Sequence, residues 1–354
     1  MSLYFRPLVQ TDPSRPRDAH LLAGGWGWFA QVERLERGRP AEVMPARELP
    51  ASVLEALCAP RPALAGLTLD RPRVMGILNV TPDSFSDGGR HAGIEAALAH
   101  GKAMVAAGAD IIDIGGESTR PGARAVPPGE EISRIEPVVR ALAACCPVPI
   151  SIDTRKAAVA RAALAAGAGM VNDVSALGFD RQLPGVVARS GVPVCLMHAR
   201  GRPETMQEDP RYEDVLLDVH DALAARIAAA EAAGIERARL IVDPGIGFGK
   251  TLEHNLALLR GIALFHTLGC PILLGASRKR FIGSLSGEPL PARRLPGSLA
   301  VALAAIAKGV QIVRVHDVAE TRAAVTLWQA VTGGAPAAGS AAGGQRPRGG
   351  NEGR

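Results

Sequence analysis

Aromatic residues are scarce in this sequence: Phe, Trp and Tyr together make up 3% of its 354 positions. The net charge of +5 is mild, and the lysines and arginines are scattered without accompanying rings. A nucleic-acid-binding surface is therefore not expected. Cysteine is also rare. Cys58, Cys145, Cys146, Cys195 and Cys270 form no C-x-x-C pair and no metal-finger spacing, which excludes a disulfide scaffold and suits small thiols in a reducing, cytoplasmic compartment. No apolar run is long and uninterrupted enough to span a membrane, and the opening residues MSLYFRPLVQTDPSRPR carry no apolar signal core. No G-x-G-x-x-G follows the first strand-like run, so the usual dinucleotide fingerprint is missing.

What is present is a chain that is 47% hydrophobic, enough for a substantial core. From Arg73 onward a strand-then-helix unit recurs. Strand-like runs cover 74–78, 110–114, 149–153, 169–173, 193–197, 239–243, 271–275 and 311–315. Helical stretches rich in Ala and Leu cover 94–107, 130–145, 156–166, 181–190, 213–234, 253–267, 296–308 and 317–331. Eight near-continuous apolar strands alternating with eight helices predict an α/β fold, a (β/α)8 TIM barrel. A doubly wound open sheet alternates in the same way, but the count of eight favours closure. Residues 1–70 read differently, with Trp26, Trp28, many prolines and a strand or hairpin pattern in GGWGWFAQVERLERG. They are expected to form an N-terminal extension or small packing subdomain, followed by the barrel over 71–332. Residues 333–354, rich in Gly and Ala, are expected to be a disordered tail.

The first strand-like run stops at Asn79 and opens into a polar loop, TPDSFSDGG, far longer than an ordinary connection. Polar residues then recur at nearly every strand end: Asp113, Asp153, Asn172 with Asp173, Asp243, the Ser277–Arg278–Lys279–Arg280 run, and Arg314 with His316 and Asp317. A barrel keeps its site there. Asp173 and Asp317 read as satisfied groups or helix caps, and His198 as structural. Asp113, Asp153, Asn172 and Asp243 together resist that reading, because unpaired buried carboxylates are costly. Asp113, Asn172, Asp243 and Lys279 suit a flat heterocycle with alternating donors and acceptors. Arg314, His316, the Arg120 loop and Asn79 are expected at the rim as a phosphate site, with Asn79 an oxygen ligand suited to Mg2+. Phe85 and Phe248 are placed to flank an aromatic substrate, and Phe281 to pack on its own helix. Lys279 between two arginines also admits a Schiff-base role, less favoured than hydrogen bonding.

The blocks NVTPDSFSDGG, DIIDIGGESTRPGA, PISIDT, VNDVSAL, DPGIGFGK, GASRKRFIG and VRVHDV, in this order, closely resemble the dihydropteroate synthases, pterin-binding TIM-barrel enzymes of folate biosynthesis. The resemblance covers roughly residues 73–331. It implies condensation of 6-hydroxymethyl-7,8-dihydropterin pyrophosphate with 4-aminobenzoate, release of pyrophosphate, dependence on Mg2+, and inhibition by sulfonamides. It further implies that Asp113, Asn172, Asp243 and Lys279 hold the pterin, with Met197 and Asp153 nearby, and that Asn79, Arg120, Arg314 and His316 serve the pyrophosphate and metal. Asp113, Asp153, Lys279, Arg314 and His316 are then the catalytic set. Thr119, Pro121, Ser277 and Phe248 bound the aminobenzoate pocket, over which two loops, 81–89 and 116–123, would close. A homodimer paired through barrel helices is implied as well. Two alternatives remain at this point: a corrinoid-linked pterin methyltransferase on a similar barrel, and a non-catalytic pterin-binding scaffold. The resemblance leaves residues 1–72 unexplained.

Overall fold

The computed structural model describes residues 2–80, 89–118, 125–201 and 206–333, with nothing said of the side chains of residues 89–92. The first 58 residues contain five short strands, β1 (Tyr4–Pro7), β2 (His20–Leu21), β3 (Trp28–Phe29), β4 (Gln31–Leu35) and β5 (Glu42–Pro45), then helix α1 (Ala51–Cys58) directly after Pro50. Then follow β6 (Arg73–Asn79), α2 (Gly89–Ala106), β7 (Ile111–Gly115), α3 (Pro128–Cys145), β8 (Ile150–Asp153), α4 (Ala157–Ala165), β9 (Met170–Asp173) and α5 (Leu183–Ser190). The second half comprises β10 (Val194–Met197), α6 (Val215–Ala232), β11 (Leu240–Asp243), α7 (Leu252–Gly261), β12 (Leu273–Leu274), α8 (Arg280–Ser286), α9 (Leu295–Ile306), β13 (Ile312–Val315) and α10 (Val318–Val331).

Strands β6 to β13 form one parallel sheet in the order β11-β10-β9-β8-β7-β6-β13-β12. A parallel bridge between Val242 and Ile272 joins its two ends and closes the barrel, which removes the open-sheet alternative. The last joint is thin. Pro271 has no N–H to give, and the Ile272 N–H donates to the Gln311 side chain at 2.8 Å, so β12 is shorter than the run 271–275. The expected helix over 253–267 is likewise split, continuing past α7 as a 3-10 helix over Ile262–Leu268, and α8 is an additional short helix.

Strand residues alternate between two cores. Val74, Leu78, Ile112, Ile114, Ile150, Ile152, Val171, Leu196 and Val242 pack outward against the helices. Met75, Ile111, Met170, Cys195, Ile241, Leu273 and Ile312 fill the barrel interior, with Leu64 and Leu69 of the lead-in packed into the same cluster. Each fully buried aliphatic side chain contributes about 1.5–3 kcal/mol by leaving water. Helix α6 shows the outer logic: Asp214 caps it by accepting from Leu216 N and Leu217 N, and Val219, Leu223, Ile227 and Ala230 return to one buried face every three to four residues.

Strands β1, β4 and β5 make an antiparallel sheet, and β2 pairs with β3. Phe5, Leu22, Phe29, Val32, Leu49 and Leu57 form a hydrophobic cluster within this region. It is seated on the helical layer of the barrel. The Tyr4 hydroxyl donates to Asp221 at 2.8 Å, Arg37 pairs with Asp218 at 2.6 Å, Trp26 donates to Ile306 O at 2.8 Å and Arg61 to His266 O at 2.9 Å. The interpretation of residues 333–354 as a disordered tail falls, beyond Gly333, outside the described residues.

Candidate active site

The inner face of the barrel changes character in a single step along the strands. Two residues beyond the apolar layer, where the pleat brings the next side chains to the same face, stand Ile77, Asp113, Asn172, Met197, Asp243 and Arg314. Asn79, Gly115 and Asp153 follow at the strand ends. A site at the C-terminal end of the strands is the arrangement expected of this architecture.

Arg314 sits at the centre of this layer. Its Nε donates to Asp113 Oδ2 at 2.6 Å and its Nη2 to Asp153 Oδ2 at 2.8 Å. Asn172 Nδ2 donates to the same Asp113 oxygen at 3.1 Å. Expected at the rim, Arg314 stands in the same layer as Asp113. Its guanidinium bends inward because Asp113 is fully buried and Asp153 nearly so, and a charge-assisted pair is the cheapest way to keep them there. Burial pushes Asp153 up to about 7, against the pull of Arg314. Burial also opposes the Arg314 charge, yet the two carboxylates hold its pKa above the ordinary value. The Oδ1 atoms of Asp113 and Asp153 are buried and have no hydrogen-bond partner among the described residues.

The second wall is built by the loop after β11. Asp243 Oδ1 accepts from Gly245 N at 2.7 Å, and burial raises the Asp243 pKa, opposed by Lys279. Lys279 donates to Ile246 O and lies with its Nζ 4.3 Å from the centre of the Phe248 ring. Burial lowers it to about 8, partly offset by Asp243. The cause is desolvation rather than its sequence neighbours, since Arg278 is turned away to pair with Asp317. That pair also makes Asp317 a satisfied group, as expected: it stands at the N-cap of α10, with its carboxylate turned to Arg278 instead of capping the helix. His316 Nδ1 and Ser277 Oγ are 3.0 Å apart at the mouth.

Asp113, Asp153, Asn172, Met197, Asp243, Lys279 and Arg314 are therefore brought to one lumen, with Phe248 against Lys279. Asn79 and Asp153 flank Gly115, whose added Cβ would stand 3.8 Å from Asn79 Oδ1 and from Asp153 Oδ2. Phe85, Thr119, Arg120 and Pro121, and with them the expected closure of the two loops, lie outside the described residues. Asp173 is satisfied as expected, accepting from Ser175 N and Ser175 Oγ at 2.7 and 2.6 Å. His198 faces the Lys250 ammonium at 3.0 Å. Phe281 is buried on α8.

Two groups escaped the sequence reading. Lys250 closes the block DPGIGFGK and is 3% exposed. Lys156 lies in a buried cluster with Glu131 at 2.6 Å, Glu117 at 3.2 Å and Val126 O at 2.6 Å. Lysines in Gly-rich or helix-start contexts are ordinarily exposed, and only the packing shows otherwise. Among the described residues no group of three or more His, Cys, Asp or Glu is arranged to hold a metal ion. A cavity of about 480 Å³ opens at the other end of the barrel, between Pro149, Gly169, Pro193 and Arg239, and contains none of the site residues.

The family described as pterin binding enzyme matches residues 75–316. The dihydropteroate synthase of Escherichia coli (strain K12) is 50% identical over 257 residues, which cover 73% of this chain and 90% of that protein. A Xanthomonas albilineans dihydropteroate synthase solved with 4-aminobenzoic acid superposes with a TM-score of 0.72 at 54% identity, over 77% of this chain and 98% of that one. A Yersinia pestis dihydropteroate synthase solved with a sulfonamide drug superposes with a TM-score of 0.72 at 48% identity, over 75% and 96% of the two chains.

Proposed function

The chain belongs to the family of pterin-binding enzymes, and from that premise we infer that it is a transferase catalysing the dihydropteroate synthase reaction. It condenses 6-hydroxymethyl-7,8-dihydropterin pyrophosphate with 4-aminobenzoate, giving 7,8-dihydropteroate and pyrophosphate. The observation that carries the reading is the polar layer itself: three carboxylates, Asp113, Asp153 and Asp243, face two cations, Arg314 and Lys279, in one buried lumen. Two of its buried carboxylate oxygens, Asp113 Oδ1 and Asp153 Oδ1, have no hydrogen-bond partner among the described residues.

The pterin supplies donors for these oxygens. Its amino-pyrimidine edge offers N–H donors to Asp243 and to the unpaired Asp113 Oδ1, while Asn172 and Lys279 serve the mixed edge. Met197 lies against the ring, and Phe248 and Ser277 border the arylamine, together with Thr119, Pro121 and Phe85. An arylamine is a weak nucleophile, and the electron-rich dihydropterin can delocalise positive charge as the C–O bond breaks. Departure of pyrophosphate before capture by the amine follows. The carboxylates then stabilise the growing cation, preorganised in a site shielded from water. Arg314 orients Asp113 and Asp153 through its two hydrogen bonds, and with His316 and Arg120 it receives the departing anion.

The donor set fits Mg2+. Asn79 Oδ1 and Asp153 Oδ2 both lie 3.8 Å from where a Cβ on Gly115 would stand, and Asp153 Oδ1 has no hydrogen-bond partner among the described residues. Mg2+ takes few protein oxygens and completes its shell with water and phosphate. Asn79 would hold it, and when bound it supplies neutralisation of pyrophosphate charge. Sulfonamides, as mimics of 4-aminobenzoate, are expected to compete at the Phe248 side. We further read residues 1–70 as a subdomain separate from the barrel of 71–332 and the tail of 333–354, and the enzyme as a cytoplasmic homodimer, which light scattering tests.

The deciding assay is pyrophosphate release by the purified protein with Mg2+ and pterin pyrophosphate, with and without 4-aminobenzoate. Stoichiometric formation of dihydropteroate with pyrophosphate is expected. Pterin binding without any condensation would leave a scaffold and sink the reading.

A further inference from the structure

The loops after β10 and β11 are laced together by contacts that the carboxylate cluster does not require. The Lys250 Nζ reaches the Phe248 carbonyl at 2.9 Å, the His198 carbonyl at 3.3 Å and His198 Nδ1 at 3.0 Å. Three acceptors match the three N–H groups of its ammonium form, although burial lowers the Lys250 pKa to about 7. They also leave His198 neutral, in line with burial and the neighbouring ammonium lowering its pKa to about 3. On either side, Gln207 Nε2 donates to Gly247 O at 2.7 Å and the Tyr212 hydroxyl to Gly249 O at 2.8 Å. Three consecutive carbonyls, of Gly247, Phe248 and Gly249, are thus each held by a side chain.

The two backbones touch. A Cβ on Gly245 would stand 1.8 Å from His198 O, and one on Gly249 would stand 2.3 Å from Arg200 O; both glycines have positive φ, +68° and +63°. No other residue type permits that approach. Between the pinned carbonyls projects Phe248, whose ring meets the Lys279 ammonium, and Lys279 is itself tied to Ile246 O of this loop.

We propose that Lys250, seconded by Gln207 and Tyr212, is a positioning residue that sets Phe248 and thereby the 4-aminobenzoate side of the site. The inference rests on the function proposed above. Lys250 acts through the loop: without its head group, two carbonyls in a dry environment lose their donor. The glycine-rich segment then gains freedom just where an aromatic ring must stand. Asp243 and Asn172 lie on strands and keep their places, so pterin anchoring is largely spared.

The test compares wild type with Lys250→Met, Gln207→Ala and Tyr212→Phe, each checked for folding by circular dichroism. Two readouts are taken. The first is amide hydrogen exchange over residues 245–249 in the substrate-free protein, which is independent of activity. The second is KM for 4-aminobenzoate set against Kd for the pterin pyrophosphate. For Lys250→Met the expected result is about tenfold faster exchange confined to this loop. KM for the amine should rise by about tenfold, a modest loss for a misplaced contact group, with pterin Kd changed by less than about threefold. Wild-type exchange in a folded Lys250→Met protein, or faster exchange with an unchanged amine KM, overturns the proposal. Should Lys250→Met fail to fold, an unchanged amine KM in both Tyr212→Phe and Gln207→Ala overturns it equally. If wild type itself condenses nothing, the functional reading falls, while the exchange measurement still decides whether Lys250 orders the loop.

Discussion

Replacing Arg314 by methionine keeps the aliphatic stem and removes the guanidinium from between two buried carboxylates. In the wild type that group donates at 2.6 and 2.8 Å to Asp113 and Asp153. Breaking a buried pair by removing one partner costs about 3–5 kcal/mol, because the other charge stays behind. The folded variant lowers that cost by protonating a carboxylate, so its loss of stability must depend on pH. Asp153 already stands at about 7, above the unfolded value of about 3.9, and loss of Arg314 raises it further. A carboxylate with a raised folded pKa binds more protons in the native than in the unfolded state. Its contribution is therefore fully present at low pH and is lost as pH climbs through the folded pKa. The slope is about 1.4 kcal/mol per pH unit for one proton. Urea denaturation of wild type and Arg314→Met at pH 5.5, 6.5, 7.5 and 8.5 should show a gap that widens by about 1–2 kcal/mol across the upper half of that range. Adding Asp113→Asn to the variant should recover much of the loss, since it removes the charge left unpaired. A gap independent of pH, or a double variant no more stable than Arg314→Met, would refute the reasoning. Turnover of Arg314→Met at pH 7 should fall by about 10²–10³-fold, the usual effect of one preorganised electrostatic group.

Asp243→Asn should weaken pterin binding itself, seen by titration calorimetry as a loss of at least about tenfold in affinity, because an amide cannot accept the two N–H groups that a carboxylate accepts. Deleting residues 1–58 uncovers Leu217 and Leu264, now packed against Tyr4, and should lower the melting temperature or solubility; folded protein that remains should bind pterin with wild-type affinity, and selective loss of pterin binding would place the segment in the site. Isotope exchange between bridging and non-bridging oxygens of pterin pyrophosphate, without 4-aminobenzoate, should show scrambling if cleavage precedes attack. No scrambling under any condition, with a rate that rises steeply with amine basicity, would favour direct displacement.

The identity of the site-bearing positions was legible in the chain because each barrel strand ends where its apolar run ends. Asp153, Asn172 and Asp243 stand at such boundaries and Asp113 interrupts the apolar run of β7, and a carboxylate or amide there has no reason to exist in a purely structural strand. Closure was legible as a count of eight strands. The existence of α6 was legible in the Ala- and Leu-rich stretch 213–234, because helix propensity acts over a few residues and is written in them. The pairing of Arg314 with two carboxylates was not legible. Buried parallel strands are apolar on both faces, so their sequences do not mark which side faces the lumen. Arg314 and Asp113 are separated by 201 residues and meet only because β13 lies two strands from β7 around a closed ring. The same holds for Lys250, which reads as one more surface lysine until β10 and β11 are set side by side. Local sequence determined the elements and their polar ends; the tertiary structure alone decided which charges face one another, because in a dry interior a charge is placed by its partners, and those partners come from strands far apart in the chain.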